Sequence, residues 1–238
     1  LTHEFDASLT PEARGFIGRV REFGRVAVGP FAKQWEYDRR VPLETLRDAS
    51  RLGFAAVELD KAFGGLGLPF SAKMRMAEEF SKHDLAFTFA LMQHHNVIVR
   101  IAEAAPRHVA QALVPRLLAG EVFGCTAMTE PSAGSDFAAI ATRATKVEGG
   151  WRLTGSKGWI SNAAFAEVIL TYAQSDQAAG NKGIACFIVR SDAQGFVRKP
   201  AYELHGAHAI GVGGFSLESC FVPDDVVLPT EFGPRMGL

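Results

Sequence analysis

Residues 114–129 read V-P-R-L-L-A-G-E-V-F-G-C-T-A-M-T, and the change of texture that decides the fold lies inside them. Up to Gly120 apolar residues recur at helical spacing. Beyond it they come in short runs rich in Val, Ile, Thr, Phe and Tyr. Upstream, Thr10-Pro11 reads as an N-cap followed by proline at the first helical position, with Phe16, Ile17, Val20, Phe23 and Ala27 on one face. Pro42 opens a second helix with Leu43, Leu46, Ala49 and Leu52 inward, and Gly53 is placed to end it. Ser71 is expected to cap a third, leading into the Met-, Phe-, Leu- and Ala-rich stretch from Met74 to Ala105, which Pro106 interrupts. Val109, Leu113, Leu117 and Leu118 give one more amphipathic helix, stopped at Gly120, and G-G-L-G-L-P (Gly64 to Pro69) is a loop.

Downstream, strands are expected near 122–129, 142–148, 151–155, 167–174, 183–190, 196–204 and 214–222, with Gly149-Gly150 at a tight hairpin. Strands at this spacing make a compact antiparallel barrel or sandwich. The expected fold class is therefore α+β multidomain, an N-terminal all-α helical domain over 1–120 followed by an antiparallel β-barrel or sandwich domain over 121–229.

The 238 residues, 47% apolar and 21% charged, have the composition of a globular protein and not of a disordered chain. A net charge of −1 gives no electrostatic footprint for nucleic acid or an acidic membrane, so neither is expected as a partner. The three cysteines, Cys125, Cys186 and Cys220, are too dispersed for a zinc site or a disulfide framework. They point to a reducing compartment, and the expected location is cytoplasmic. No apolar run is long enough to span a bilayer, and L-T-H-E-F-D at the start has no signal-peptide character. The missing initiator Met predicts that the extreme N-terminus lies upstream.

Neither G-x-G-x-x-G nor G-x-x-x-x-G-K-[ST] occurs, and H-E-x-x-H and G-x-S-x-G are absent too. His94 and His95 are adjacent, so on a helix they point about 100° apart and do not make a metal pair. A pocket wall or a satisfied core contact suits them better, and no metal is expected. The informative stretch is A-M-T-E-P-S-A-G-S-D, Ala127 to Asp136. It leaves a strand and enters a turn in which Pro131 fixes one φ and Gly134 admits close approach. Thr129, Ser132 and Ser135 add hydroxyls. Such a turn can hold an anionic or heteroaromatic ligand, or can simply be a polar turn. In K-G-W-I-S-N (Lys157 to Asn162), Trp159 and Ser161 are two apart and so lie on the same side of a strand. One can stack while the other hydrogen-bonds, or Trp159 can fill the core.

Ala127 to Asp136, continued through Ala139, resembles the signature turn of the acyl-CoA dehydrogenase superfamily. Gly53 to Leu68 is similar to that family's first-domain loop, with Leu59-Asp60 in place of its usual Pro-Glu. Val114 to Glu121 resembles its helix-to-barrel junction, and Lys157 to Asn162 its flavin-contacting strand. The resemblance implies that 230–238 start the linker to a C-terminal helical bundle absent from this sequence. It further implies FAD as cofactor, an acyl thioester substrate on CoA or a carrier protein, and an acceptor such as an electron-transfer flavoprotein. A homotetramer or homodimer and a place in fatty acid metabolism go with it.

Carried over residue by residue, the first flavin segment runs from Thr126 to Ser135. Met128 and Thr129 meet the isoalloxazine edge. Gly134 and Ser135 lie under the pyrophosphate, Ser135 also near the handle of the acyl donor. The second segment is Trp159, Ile160 and Ser161, with the Trp159 ring on the flavin and the Ser161 hydroxyl near N5. In the family the catalytic base is a Glu of the C-terminal domain, so no catalytic residue is assigned here, and Glu130 is given a structural role. One departure stands out. Where relatives carry a Ser-Asp-Thr-Arg-like run, this chain has I-G-V-G, Ile210 to Gly213. Its loss weakens the case for free CoA and raises that of a carrier-bound acyl group or a substrate that is not a thioester. His205 and His208 either replace some of that run's polar contacts or are exposed, and exposure is the expectation; Arg198 and Lys199 either meet an acidic carrier or lie solvated. The leading reading is a flavin-dependent acyl thioester dehydrogenase. A flavin monooxygenase of the same fold and a non-catalytic or regulatory relative stand as alternatives.

Overall fold

The computed structural model describes Asp6 and residues 9–228. These fall into two compact units. One holds the chain up to Ala102, Val114–Glu121 and Glu203–Gly211; the other holds Glu103–Leu113, Val122–Tyr202 and the chain from Val212. The residues expected to start a linker, 230–238, lie outside the described part.

The helical elements are α1 (Pro11–Phe23), α2 (Ala32–Tyr37), α3 (Leu43–Arg51), α4 (Phe70–Ser81), α5 (Leu85–Ala104) and α6 (Arg107–Leu118). The Thr10 hydroxyl caps α1 by accepting from the Ala13 N–H at 3.2 Å, and Ala13, Phe16, Ile17 and Val20 form its buried face. The core is aromatic. Phe23 meets Phe54 at 5.4 Å, Phe54 meets Phe80 at 5.3 Å and Phe80 meets Phe87 at 5.6 Å, all edge to face. Two helix readings change. Ser71 does not cap the third long helix, which begins one residue earlier at Phe70, after Pro69. The apolar stretch from Met74 breaks before Pro106, because Asp84 ends one helix register and starts the next. Its carboxylate accepts from the Phe87 N–H at 2.6 Å.

The strands are β1 (Gly124–Ala127), β2 (Arg143–Val147), β3 (Gly150–Ile160), β4 (Val168–Gln174), β5 (Ile184–Arg190), β6 (Phe196–Arg198), β7 (Gly213–Pro223) and β8 (Val227–Leu228). They follow the path β6-β7-β3-β2-β4-β5-β8, with β1 beside β4. Of the expected antiparallel barrel or sandwich, the barrel closure and the purely antiparallel pairing are corrected. The path ends at β6 and β8 and does not close. The sheet is mostly antiparallel, but β1 runs parallel to β4, and β2 meets β4 in parallel at Arg143 and Gln174. The hairpin of β2 and β3 turns at Glu148-Gly149, with Val147 opposite Gly150. Cys125, Ala127, Leu153, Ile160, Phe187, Val189, Phe215 and Leu217 belong to the buried core of this unit.

Candidate functional site

Strand β1 delivers the chain into the turn at Glu130. There the Glu130 N–H donates to the Ala133 carbonyl at 2.9 Å and the Ala133 N–H donates back to the Glu130 carbonyl at 3.2 Å. Pro131 and Ser132 occupy the two central positions, where proline's fixed φ favours the bend. A buried ion pair supports this turn from below. Lys157, fully buried on β3, donates from Nζ to Glu130 Oε1 at 2.9 Å and to the Met128 carbonyl at 3.0 Å. The Glu130 carboxylate also accepts from the Ala141 N–H at 2.6 Å and the Thr142 N–H at 3.0 Å. Burial alone would raise the Glu130 carboxyl. The Lys157 ammonium and the N–H donors outweigh it and hold Glu130 below the ordinary carboxylate range. Both oxygens of the Glu130 carboxylate are thus engaged within the fold. The pairing of Glu130 with Lys157 is not among the sequence expectations.

The turn lies against β3 itself. The Gly158 N–H donates to the Thr129 carbonyl at 3.2 Å, and a Cβ on Gly158 would stand 3.5 Å from Pro131. Thr126, Met128 and Thr129 are half-buried, and Gly134 and Ser135 are exposed. Nothing lies within 4 Å of the point a Gly134 Cβ would occupy, so the backbone there is open to a ligand.

The second segment is not a regular strand. The β3–β7 register shifts between Lys157 and Ile160, and Trp159 takes φ 59° inside that irregularity. A bulky residue in the left-handed region costs about 1–3 kcal/mol, and such strain gathers at functional sites. Ser161 lies past the end of β3, in a turn, half-buried. The expectation that Trp159 and Ser161 share a strand face is therefore corrected, because period-2 alternation fails across the register shift. The alternative in which Trp159 fills the core also falls, since Trp159 is 62% exposed. Ile160 is 2% exposed and part of the core, so any ligand contact it makes is through its backbone.

The turn after Ser161 has its own anchors. Asn162, at φ 65°, donates from Nδ2 to the Gly124 carbonyl at 3.2 Å. Arg198 donates to the carbonyls of Ala163 and Ala166, the latter at 2.6 Å. This corrects the reading of Arg198 as a solvent-facing residue awaiting a carrier; Lys199 is exposed. His208 is corrected as well. It is half-buried in the helical unit, with Nδ1 2.9 Å from Glu36 Oε1, Nε2 3.1 Å from the Leu204 carbonyl, and its N–H donating to Glu36 at 2.9 Å. His205 is exposed. His94 is a satisfied core residue, its Nε2 2.9 Å from the Leu117 carbonyl, and burial pushes it down to about 4. Among the described residues no group of three or more His, Cys, Asp or Glu is placed to hold a metal, and no helix is long and apolar enough to cross a membrane.

One exposed indole, a turn with an open glycine, and the hydroxyls of Thr129, Ser135 and Ser161 make up the site. That donor set fits a ligand with a planar, partly apolar ring and an anionic portion. A family profile described as "Acyl-CoA dehydrogenase, N-terminal domain" matches residues 10–121, and one described as "Acyl-CoA dehydrogenase, middle domain" matches residues 125–220. The chain belongs to the acyl-CoA dehydrogenase family. It is 32% identical over 227 residues to a glutaryl-CoA dehydrogenase of Desulfococcus multivorans, covering 94% of this chain and 58% of that protein. It is similar to the structure of a glutaryl-CoA dehydrogenase in complex with glutaryl-CoA, with TM-score 0.89, 32% identity and coverage of 94% of this chain and 57% of the other. A glutaryl-CoA dehydrogenase from Mycobacterium smegmatis in complex with FADH2 superposes with TM-score 0.87 at 25% identity, covering 95% and 57%. The chain spans little more than half the length of these relatives.

Proposed function

We propose that this chain forms the helical and middle parts of an FAD-dependent acyl-CoA dehydrogenase, with the boundary between them at residues 120–121. The observation that carries the reading is the signature turn, held by the buried Glu130–Lys157 pair beside an exposed Trp159. In this reading Thr129 and Ser161 donate to the polar edge of the flavin. Met128 and Trp159 wall its ring against water, and Gly134 and Ser135 receive the phosphates, Ser135 also touching the acyl donor. Thr126 and Ile160 contribute backbone contacts. FAD, when bound, supplies a two-electron acceptor.

Oxidation of a saturated acyl thioester to the enoyl thioester removes a proton from Cα and a hydride from Cβ. The thioester acidifies the α-hydrogen enough for a carboxylate base in a dry pocket. No residue of this chain is assigned that role, and the base is placed in the portion of the relatives that this chain does not span. An electron-transfer flavoprotein as acceptor, a homodimer or homotetramer, and a cytoplasmic setting belong to the same reading.

A monooxygenase of the same fold is kept as the second reading because the apolar Ile210–Gly213 run offers no charged or side-chain donor to CoA. Product analysis separates the two. Incubating the FAD-loaded whole protein with saturated acyl-CoAs and an artificial electron acceptor should yield an acyl-CoA lighter by two hydrogens. Oxygen-dependent gain of one oxygen atom would support the monooxygenase, and an unchanged acyl-CoA would contradict the dehydrogenase.

A further inference from the structure

Tyr202 stands outside every motif, yet it touches the one exposed aromatic of the site. Its ring meets the Trp159 indole edge to face, with centroids 4.8 Å apart and planes at 67°. Its hydroxyl lies over the seam between β3 and β7. A Cβ on Gly158 would come within 3.1 Å of Tyr202 Oη, and one on Gly214 within 3.0 Å. Both positions therefore suit glycine, and the phenol occupies the space their side chains would need. The backbone of Tyr202 is pinned too, because its N–H donates to the Val212 carbonyl at 2.9 Å.

Trp159 needs such a neighbour. A bulky residue at φ 59° persists only where its surroundings over-determine it, and an indole 62% exposed has few contacts to do so. Gly158, next to it in sequence, is tied to the Thr129 carbonyl, and the Tyr202 ring supplies the contact to the indole itself. The hydroxyl is not needed for that contact, but the ring is.

We infer that Tyr202 is a positioning residue. It fixes the plane of the Trp159 indole, and through it the wall against which the flavin ring packs. This inference rests on the flavin reading above. An edge-to-face pair of this kind predicts that loss of the Tyr202 ring weakens FAD binding about 2–10-fold.

The test compares Tyr202→Phe, which keeps the ring, with Tyr202→Ala, which removes it. Near-ultraviolet circular dichroism of the apoproteins reports the immobilisation of Trp159, assigned by repeating the comparison in a Trp159→Phe background. FAD titration and the visible circular dichroism of bound flavin report the consequence. The expected result is a Trp159 band that weakens in Tyr202→Ala and not in Tyr202→Phe, a 2–10-fold rise in Kd for FAD in Tyr202→Ala alone, and an altered flavin band at equal occupancy. An apoprotein spectrum unchanged by Tyr202→Ala overturns the inference, as does a changed Trp159 band with unchanged flavin binding and flavin spectrum. A wild-type protein that binds no FAD overturns the reading beneath it, and the apoprotein spectra keep that failure distinct from a Trp159 that Tyr202 does not hold.

Discussion

Replacing Lys157 with methionine removes the ammonium from beneath the signature turn while keeping most of the aliphatic stem. Two groups lose a partner. The Met128 carbonyl loses a donor at 3.0 Å, Glu130 Oε1 loses one at 2.9 Å, and the Glu130 carboxylate keeps only the Ala141 and Thr142 N–H groups. The Lys157 and Glu130 side chains are 0% and 3% exposed, so water cannot replace the lost charge without opening the turn. Stranding one member of a buried pair costs about 3–5 kcal/mol. In a protein of this size that lowers Tm by roughly 6–20 °C. Adding Glu130→Gln neutralises the stranded carboxylate, so the double variant should be more stable than Lys157→Met alone. Urea and thermal unfolding of wild type, both single variants and the double variant form a double-mutant cycle. A loss of less than about 1 kcal/mol for Lys157→Met, or effects of the two substitutions that simply add, would refute the argument.

Three further outcomes follow from the same structure. Glu79 is buried, which alone would raise its pKa, but Arg21 at 3.0 Å, Lys82 at 2.8 Å and Arg75 at 2.6 Å hold it at about 2. A depressed carboxyl contributes stability above its unfolded value and loses it on acidification. The urea midpoint should therefore fall as pH drops from about 4.5 towards 2, and Glu79→Gln should lower stability at neutral pH and flatten that dependence. Trp159→Ala should change unfolding free energy by less than about 1 kcal/mol, since a well-exposed side chain carries little core packing, and should still weaken FAD binding. A melting loss on the scale of core truncation, about 3–5 kcal/mol, would refute its place on the surface. Burial pushes the Cys125 thiol up to about 12, so it should resist alkylation at pH 8 in the folded protein and react fully in urea, as peptide mass mapping would show.

What was legible in the sequence was local. The start of α1 follows from Thr10-Pro11 and the phase of Phe16, Ile17 and Val20, all within about three turns. The β2–β3 hairpin follows from the glycine pair at 149–150. The signature turn could be singled out because proline, glycine and hydroxyl residues cluster there. What escaped depends on pairing between distant segments. Glu130 and Lys157 are 27 residues apart, and each alone looks like an ordinary charged residue. The available hint was parity, since Lys157 lies four residues after the apolar Leu153, on the same face of a regular strand. The left-handed Trp159 escaped because alternation assumes a regular strand, and the irregularity exists only against β7. Arg198 reads as surface charge until the turn it anchors, 32–35 residues upstream, is placed beside it. The open sheet was hidden for the same reason, since strand count and spacing do not determine which strands end the path.

The central claim joins the signature turn and Trp159 to acyl thioester oxidation, and anaerobic mixing tests it most directly. Whole protein loaded with FAD is combined with stoichiometric saturated acyl-CoA under argon, and the visible absorbance of oxidised flavin is followed. The account predicts bleaching in a single turnover without any other reductant, and slower or weaker bleaching in the Trp159→Ala protein at matched FAD occupancy. Flavin that stays oxidised with every acyl-CoA and acyl-carrier thioester, yet is reduced by a nicotinamide cofactor, would contradict it.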